Sequence, residues 1–318
     1  MRWRGRRQST NVSDQRGHTT GGDTFRLPGS NRTGDGNFRI PRGRPTKRAS
    51  CGLGLGTLAI IGVVLFFLGV NPLTILGQLG GGLGGGLDTS VNPNVHRKPI
   101  TRPKTRTPAN DEMKQFVSTI LASTEQVWTG VMKAYGKRYP KPDLVLFEGS
   151  VRSACGFASS ASGPFYCPGD SKIYIDLSFY DQLATEFKAK GDFAQAYVLA
   201  HEVGHHIQNI IGILPQFNRE RQRLGKIEAN RKSVKVELQA DCFAGVWGYY
   251  VEREGWLEKS DLREALNAAS KIGDDAIQKR TTGRIVPESF NHGTSKQRVE
   301  WFSRGFKNGR LESCNSFN

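Results

Sequence analysis

Residues 192–212 read DFAQAYVLAHEVGHHIQNIIG, and this stretch decides the fold around it. Its apolar pattern predicts one helix, with Asp192 as the N-cap and Gly212 as the C-cap. His201 and His205 are four residues apart, so both imidazoles leave the same face of that helix one turn apart. Two histidine nitrogens placed in this way can bind one metal ion. The sequence therefore predicts a metal site on this helix.

Glu202 follows the first histidine and projects about 100° around the helix, beside the metal rather than onto it. Zinc brings the pKa of bound water to near 7, and a neighbouring carboxylate can take that proton and deliver it to a leaving amine. Glu202 is therefore predicted to be the general base of a zinc-dependent hydrolase. Gly204 is predicted to leave room for an opposing helix. His206 lies off the metal-facing side and is left out of the site.

A second helix, predicted over residues 233–254, supplies two carboxylates. Glu237 and Asp241 are again four residues apart, in a run whose apolar residues predict burial. A buried carboxylate needs a partner, and a catalytic zinc ion needs a third protein ligand and one open position. We predict Glu237 as the third ligand and Asp241 as the carboxylate that orients a ligating histidine. The reverse assignment, with Asp241 as ligand and Glu237 behind it, stays open.

Several stretches resemble a known family. They are His201–His205, Glu237–Gly245, GSVRSACG at 149–156, PFYCP at 164–168, YIDL at 174–177 and HGTS at 292–295. These stretches resemble the YpfJ-type neutral zinc metallopeptidases of bacteria, and HExxH followed by ExxxD is the gluzincin pattern. The resemblance runs over most of residues 110–318 and extends to the basic start and the single apolar span. It implies a membrane-anchored zinc peptidase with a zincin-like catalytic domain, and it implies no substrate.

Other residues are candidates for contact with a substrate. His292 lies in a loop flanked by glycine, threonine and serine, and its imidazole could stabilise the oxyanion of a tetrahedral intermediate. Tyr174 or Tyr166 could do the same, and His292 could equally serve only to hold its own loop. The predicted strand Ile173–Leu177 is a candidate edge that pairs with an extended peptide.

The N-terminal third differs in composition from the rest. Residues 1–50 carry a net charge of +9 out of +16 for the chain, and we predict a basic, disordered, cytoplasmic arm. Residues 51–87 contain no charged side chain, and the apolar run 52–70 is long enough to span a bilayer. We predict a transmembrane helix at 51–72, followed by a Gly/Pro-rich linker at 73–109. The positive-inside rule then places the N-terminus in the cytoplasm and the remainder outside the bacterial inner membrane.

The cysteine count fits export. Cys51 falls on the cytoplasmic side of the predicted span, which leaves four cysteines in an oxidising compartment. Three pairings are open. We favour Cys155–Cys167, because these residues bracket a short Gly/Ser/Pro-rich loop, and hence Cys242–Cys314.

Residues 110–318 are long enough for one domain, predicted as an α+β, zincin-like metallopeptidase domain after one N-terminal transmembrane helix. Strands are predicted at 144–147 and 172–177. A basic linker is predicted at 218–232, and a third helix at 260–272 with Ser260 as its cap.

These features predict a membrane-anchored metalloendopeptidase with one Zn²⁺ ion, acting on a peptide or protein substrate. Cobalt or manganese could occupy the same ligands. Two alternatives stay open: a non-catalytic zinc-binding envelope interaction module, and a zinc amidase acting on a non-protein amide. The basic arm is interpreted as a segment that faces lipid. No nucleic-acid partner is expected, because the arm lacks interleaved aromatic residues.

Overall fold

The computed structural model describes residues 1–17 and 108–317, with the side chains of 1–17 and 112–317. Within these ranges, no helix is both long and apolar enough to cross a membrane. The predicted span at 51–72 lies outside the described residues. So does the predicted linker at 73–109, except for its last two residues, which already belong to a helix.

A four-stranded sheet forms one layer of this mixed α/β fold. β1 (Val12–Asp14), β2 (Asp143–Phe147) and β6 (Lys172–Asp176) run parallel, and β5 (Phe165–Cys167) runs antiparallel to β6. The strand order is β1-β2-β6-β5, so β6 is an inner strand. Both predicted strands are confirmed. The prediction that Ile173–Leu177 is the edge that pairs with a substrate is wrong, because β2 and β5 occupy both sides of β6.

A separate hairpin, β3 (Ser150–Ser153) and β4 (Gly156–Ser159), precedes the edge strand β5. A disulfide joins Cys155, in the turn of this hairpin, to Cys167 at the end of β5. A second disulfide joins Cys242 to Cys314 and so ties a central helix to the C-terminal residues. The predicted pairing of these four cysteines is confirmed.

Helices make up most of the remaining residues that the structure describes. They are α1 (Pro108–Ala134), α2 (Ser178–Thr185), α3 (Asp192–Ile210), α4 (Ile213–Arg221), α5 (Lys226–Arg253), α6 (Asp261–Lys271), α7 (Asp274–Thr282) and α8 (Ser295–Asn308), with short 3₁₀ turns at Ser160–Ser162, Pro287–Ser289 and Leu311–Cys314. The three predicted helices are confirmed, but the predicted basic linker at 218–232 is largely helical. Its charged residues line the exposed face of helices α4 and α5, which is why it looked like a loop.

Helix α3 occupies the centre of the domain, and most of its side chains are buried. Gly191 at φ 117° precedes it, and Gly212 at φ 91° follows its C-cap residue in the left-handed conformation that ends a helix. The predicted N-cap is wrong, because Gly191 is the N-cap and Asp192 is the first helical residue. Ser260 is the N-cap residue of α6, as predicted, although its side chain makes no capping hydrogen bond.

Helices α3 and α5 cross at very short distance. A Cβ added at Gly204 would lie 2.8 Å from the carbonyl oxygen of Ala240 and 3.0 Å from its Cα. Only glycine at this position therefore lets the two backbones approach so closely, as the sequence predicted. This crossing places His201 and His205 on α3 opposite Glu237 and Asp241 on α5.

The prediction of disorder over residues 1–50 is wrong for residues 1–17. These residues are packed on the domain, with Met1 and Trp3 buried among its core residues. β1 pairs with β2 in register from Val12 opposite Leu144 to Asp14 opposite Leu146. This segment contains few large apolar side chains, so its composition favoured disorder. It is ordered because β1 pairs with β2, which lies far away in the sequence.

Candidate metal centre

The imidazoles of His201 and His205 lie side by side on the inner face of α3. Their ring centroids are 4.8 Å apart, and the rings are nearly perpendicular. In both rings Nε2 faces Glu237 of helix α5: His201 Nε2 lies 3.1 Å from Oε2 of Glu237, and His205 Nε2 lies 3.5 Å from Oε1. The structure therefore brings together the three side chains that the sequence proposed as ligands.

This arrangement fits a zinc ion. Zinc binds nitrogen and oxygen ligands tetrahedrally at 2.0–2.2 Å, so neighbouring donor atoms of one ion lie about 3.3 Å apart. The measured distances of 3.1 and 3.5 Å bracket that value. Within the described residues, the donor group that includes these histidines consists of His201, His205 and Glu237, with donor atoms within 4.8 Å of one another. Three protein donors leave one position for water or substrate, as a catalytic site requires.

The other nitrogen of each imidazole has its own partner. Nδ1 of His201 lies 2.8 Å from Oδ1 of Asp241, which is completely buried. Nδ1 of His205 lies 2.9 Å from Oε1 of Gln208. These acceptors hold the Nδ1–H tautomer, which leaves Nε2 of each ring free to bind a metal. The geometry favours Glu237 as ligand and Asp241 as the orienting carboxylate, and it gives no support to the reverse assignment.

Asp241 is itself held by a buried arginine that the sequence analysis missed. Arg298 of helix α8 donates from Nε to Oδ2 of Asp241 at 2.9 Å and from Nη2 to Oδ1 at 2.9 Å. Tyr197 donates its hydroxyl to Oδ1 of Asp241 at 2.5 Å. A fork of this kind fixes both position and orientation of a carboxylate. His201 is therefore oriented through a chain of contacts that begins on α8, and no local motif signals it.

Gln208 was also missed, although its position gave a signal. It lies three residues after His205 on the same helix, a spacing that brings two side chains together. Gln208 donates to the carbonyl oxygen of Val236 at 2.7 Å and to the amide oxygen of Gln239 at 3.0 Å. Its amide group is thus fixed with the oxygen towards His205.

Buried carboxylates and imidazoles in the site shift one another's pKa values. Burial alone would lower the pKa of His201, but the carboxylates of Asp241 and Glu237 raise the pKa to about 10. Burial alone would raise the pKa of Glu237, but the imidazoles of His205 and His201 hold it well below its usual range. The pKa of Asp241 falls to about 2 against burial, because of the charges of Arg298 and His201. The buried carboxylates therefore favour a cation between the two imidazoles.

Glu202 lies beside the two imidazoles and lines the same cavity. Its side chain is mostly buried, with 7% exposed. Its carboxylate makes no hydrogen bond or ion pair with the residues that the structure describes. It is therefore available to a molecule that enters the cavity.

His292 also lines this cavity, in the loop before α8. Its Nδ1 lies 3.1 Å from Oδ1 of Asp274. The other oxygen of Asp274 accepts the backbone N–H groups of Asn291, His292 and Gly293 at 2.7–2.9 Å. Burial opposes a charge on His292, but the hydrogen bond that its imidazole donates to Asp274 and the charge of Glu237 raise its pKa. The loop is thus rigid and presents an imidazole to the cavity.

The other candidates for an oxyanion contact are engaged elsewhere. The hydroxyl of Tyr166 lies 3.0 Å from Nδ1 of His206 and 2.9 Å from Nδ2 of Asn209. Tyr174 donates to Asp170 at 2.7 Å. Nε2 of His206 donates to the carbonyl oxygen of Pro140 at 2.7 Å, so this histidine is turned away from the metal site, as predicted.

The cavity has a volume of about 560 Å³, and His201, Glu202 and His205 all line it. Towards the start of α3 its wall is apolar and partly aromatic, formed by Phe165, Phe179, Phe187, Val198, Ile272 and Ile277. Beyond the end of α3 a second apolar wall is formed by Leu214, Phe217 and Val236. Residues of the edge strand β5 and its flanks, 163–166 and 168–169, also line the cavity.

The whole chain matches a known family. Residues 1–317 match the family described as "putative neutral zinc metallopeptidase". The chain belongs to this family. The resemblance inferred from the motifs is therefore confirmed, and membership supports a zinc-dependent peptidase in general.

Individual relatives agree with this result. A protein of Escherichia coli (strain K12), named "Uncharacterized protein YpfJ", is 45% identical over 320 residues, which cover 100% of this chain and 99% of that protein. Proteins Mb2605 of Mycobacterium bovis and Rv2575 of Mycobacterium tuberculosis are each 41% identical over 217 residues, covering 65% of this chain and 72% of theirs. No solved structure matches the chain.

Proposed function

We propose that this protein is a zinc-dependent endopeptidase with one catalytic ion. The observation that carries the proposal is the convergence of His201 Nε2, His205 Nε2 and the Glu237 carboxylate within an open cavity. The Glu202 carboxylate lies beside them and has no hydrogen-bond partner among the described residues. Family membership supports the same conclusion. The finer assignment of a zincin-like fold is part of this proposal.

A zinc ion held by these three residues would supply a Lewis acid that polarises the substrate carbonyl and acidifies water. Glu202 accepts a proton from the attacking water at its carboxylate and then donates it to the nitrogen of the departing amine. His292, held through Nδ1 by Asp274, donates a hydrogen bond from Nε2 to the carbonyl oxygen as negative charge develops there. Asp241 and Gln208 keep the two imidazoles in the tautomer that binds metal.

We propose that the substrate is an extended peptide placed along β5. Among the strands that the structure describes, β5 pairs with β6 alone, so its other edge offers backbone N–H and C=O groups beside the cavity that it lines. The apolar walls on both sides of the histidines favour large apolar side chains on both sides of the scissile bond. The YIDL stretch at 174–177 therefore belongs to the inner strand β6 and the residue after it, whereas the FYC stretch at 165–167 forms the edge strand β5.

Two alternative functions would use the cavity differently. A zinc-binding interaction module has no use for an open ligand position or for an unpaired carboxylate beside it, and both are features of this site. An amidase acting on a non-protein amide would use the same donors, and only the choice of substrate separates it from a peptidase. Association of residues 51–72 with the bacterial inner membrane, without a single crossing between β1 and β2, is a separate proposal that rests on the sequence.

Metal analysis combined with a peptide-library digest tests the proposal. The purified full chain is expected to carry one zinc ion and to cut peptides with large apolar residues at the cleavage site. Removal of zinc with a chelator should abolish cleavage, and added zinc should restore it. A chain that binds zinc but cleaves no library peptide, while hydrolysing a non-protein amide, would favour the amidase. A chain that binds zinc and hydrolyses neither substrate would favour the interaction module.

A further inference from the structure

The N-terminal segment, residues 1–17, is bound to the same domain that carries the metal ligands. Trp3 is 6% exposed and packs edge-on against Phe116 of α1, with ring centroids 5.3 Å apart. The backbone N–H of Arg2 donates to the carbonyl oxygen of Trp256 at 2.7 Å. The guanidinium of Arg6 lies 4.0 Å from the centre of the Trp256 ring. The segment thus joins α1 to the chain that follows α5.

The segment also contacts the first residue of α3, the helix that carries His201 and His205. The α-ammonium group of Met1 donates to both carboxylate oxygens of Asp192, at 2.7 and 2.8 Å. The same group forms an ion pair at 3.3 Å with Asp261, the first residue of α6. One cation therefore bridges the N-terminal turns of two helices, one of which is the helix of the proposed metal site.

A buried carboxylate on α1 depends on the segment for most of its partners. Glu125 is 1% exposed. It accepts hydrogen bonds from the hydroxyl of Ser9 and from Nδ2 of Asn11 at 3.0 Å, and the guanidinium of Arg7 lies 3.4 Å away. Its remaining partner is Lys141, at 3.4 Å. A buried carboxylate needs such partners, so α1 is built to receive residues 7–11.

We propose that residues 1–17 are a positioning element of the metal centre, and that they lie on the same side of any membrane as the catalytic domain. Their contacts with Asp192 and with α1 hold the start of α3 in place, and α3 fixes the spacing between the two histidines. The first part of this inference rests on the proposed function, because its readout is zinc binding. The second part rests only on the packing.

The packing has a direct consequence for membrane topology. A chain that crossed a membrane once within residues 18–107 would place β1 and β2 on opposite sides, and the two strands could not pair. The predicted arrangement, with a cytoplasmic N-terminus and an external catalytic domain, does not fit these contacts. An even number of crossings between the two segments, or none, does fit.

A cross-linking experiment on the full chain tests the topology. Arg4 and Glu112 form an exposed ion pair, with Nη2 of Arg4 2.5 Å from Oε1 of Glu112, and both are suited to replacement. The variant carries Arg4→Cys, Glu112→Cys and Cys51→Ser, and a protease site inserted between residues 18 and 50. After treatment of intact cells with a membrane-permeant bismaleimide of about 10 Å span, proteolysis in detergent is expected to leave the two fragments joined.

The matched control combines Arg4→Cys with Lys226→Cys. Lys226 begins α5, whereas Trp256, against which the segment packs, follows the end of that helix. At about 1.5 Å per residue the two ends of α5 lie about 40 Å apart. The control pair is expected not to cross-link. Separate fragments from the test pair, with residue 4 labelled only from the cytoplasm and residue 112 only from outside, would overturn the shared-side proposal whether or not the protein binds zinc.

The positioning role has its own measurement. Trp3→Ala in the full chain is expected to weaken zinc binding about tenfold, at the low end of what the loss of a group that orients a ligand costs. Asp192→Asn, which leaves the Trp3 site filled, should weaken zinc binding in the same direction. Lys137→Ala, at an exposed position outside the segment, should leave zinc binding unchanged. Unchanged zinc affinity in folded Trp3→Ala and Asp192→Asn proteins would overturn this role. A wild-type chain that binds no zinc would instead contradict the proposed function.

Discussion

Replacement of Glu202 by glutamine is expected to lower kcat about 10³-fold while one zinc ion stays bound. General acid–base catalysis contributes roughly 10²–10⁴-fold to such reactions, and an amide cannot accept the proton that the attacking water loses. Zinc binding should survive, because the three proposed ligands are His201, His205 and Glu237, and Glu202 makes no contact that holds them. The measurement is kcat on a peptide selected from the library, together with the zinc content of each protein.

The matched control is Glu228→Gln, the same chemical change at an exposed position in the first turn of α5. It should leave both kcat and zinc content unchanged. If Glu202→Gln kept a kcat within tenfold of the wild type, the assignment of Glu202 as general base would be wrong. If it lost zinc as well, Glu202 would have to act as a ligand.

Replacement of Glu237 by glutamine is expected to weaken zinc binding by more than about 100-fold. Loss of a group that only orients a ligand costs about 10–100-fold, so loss of a ligand should cost more. The same change removes the charge that favours a cation between His201 and His205. Competition with a chromophoric chelator measures the affinity, and circular dichroism checks that the protein is folded.

Asp241→Asn supplies the comparison that separates the two carboxylates. Asp241 orients His201, so removal of its charge should weaken zinc binding about 10–100-fold. The expected order is therefore a larger loss for Glu237→Gln than for Asp241→Asn. The opposite order would revive the assignment that the sequence left open, with Asp241 as ligand.

The three proposed ligands and the base could be predicted from the sequence because helical spacing determines their faces. His201 and His205 on one helix, and Glu237 and Asp241 on another, are each four residues apart, and this spacing places both members of a pair on one side. The sequence also identified Gly204 as the point of close helix approach. The sequence could not show whether Glu237 or Asp241 is the ligand, because the answer depends on which carboxylate faces Nε2 of His201 and which faces Nδ1.

Contacts between distant segments were beyond sequence reasoning. Arg298 lies 57 residues from Asp241, and its segment carries no motif that indicates a buried guanidinium. Strand order is another such property: the alternation in Lys172–Asp176 predicted a strand but not that it lies inside the sheet. The ordered start of the chain was missed for the same reason, since Trp3 and Met1 gain their burial from α1 and α3.

The position of the bound metal tests the central claim most directly. A crystal of the zinc-loaded protein, measured at the zinc absorption edge, is expected to show one anomalous peak in this cavity. The peak should lie 2.0–2.2 Å from His201 Nε2, His205 Nε2 and an oxygen of Glu237, with no fourth protein donor. Asp192, Asp261 and Glu264 form a second group of acidic side chains whose oxygens lie within 4.8 Å of one another. A peak bound by Asp241, a peak with four protein donors, or a peak only at this second group would contradict the proposed metal site.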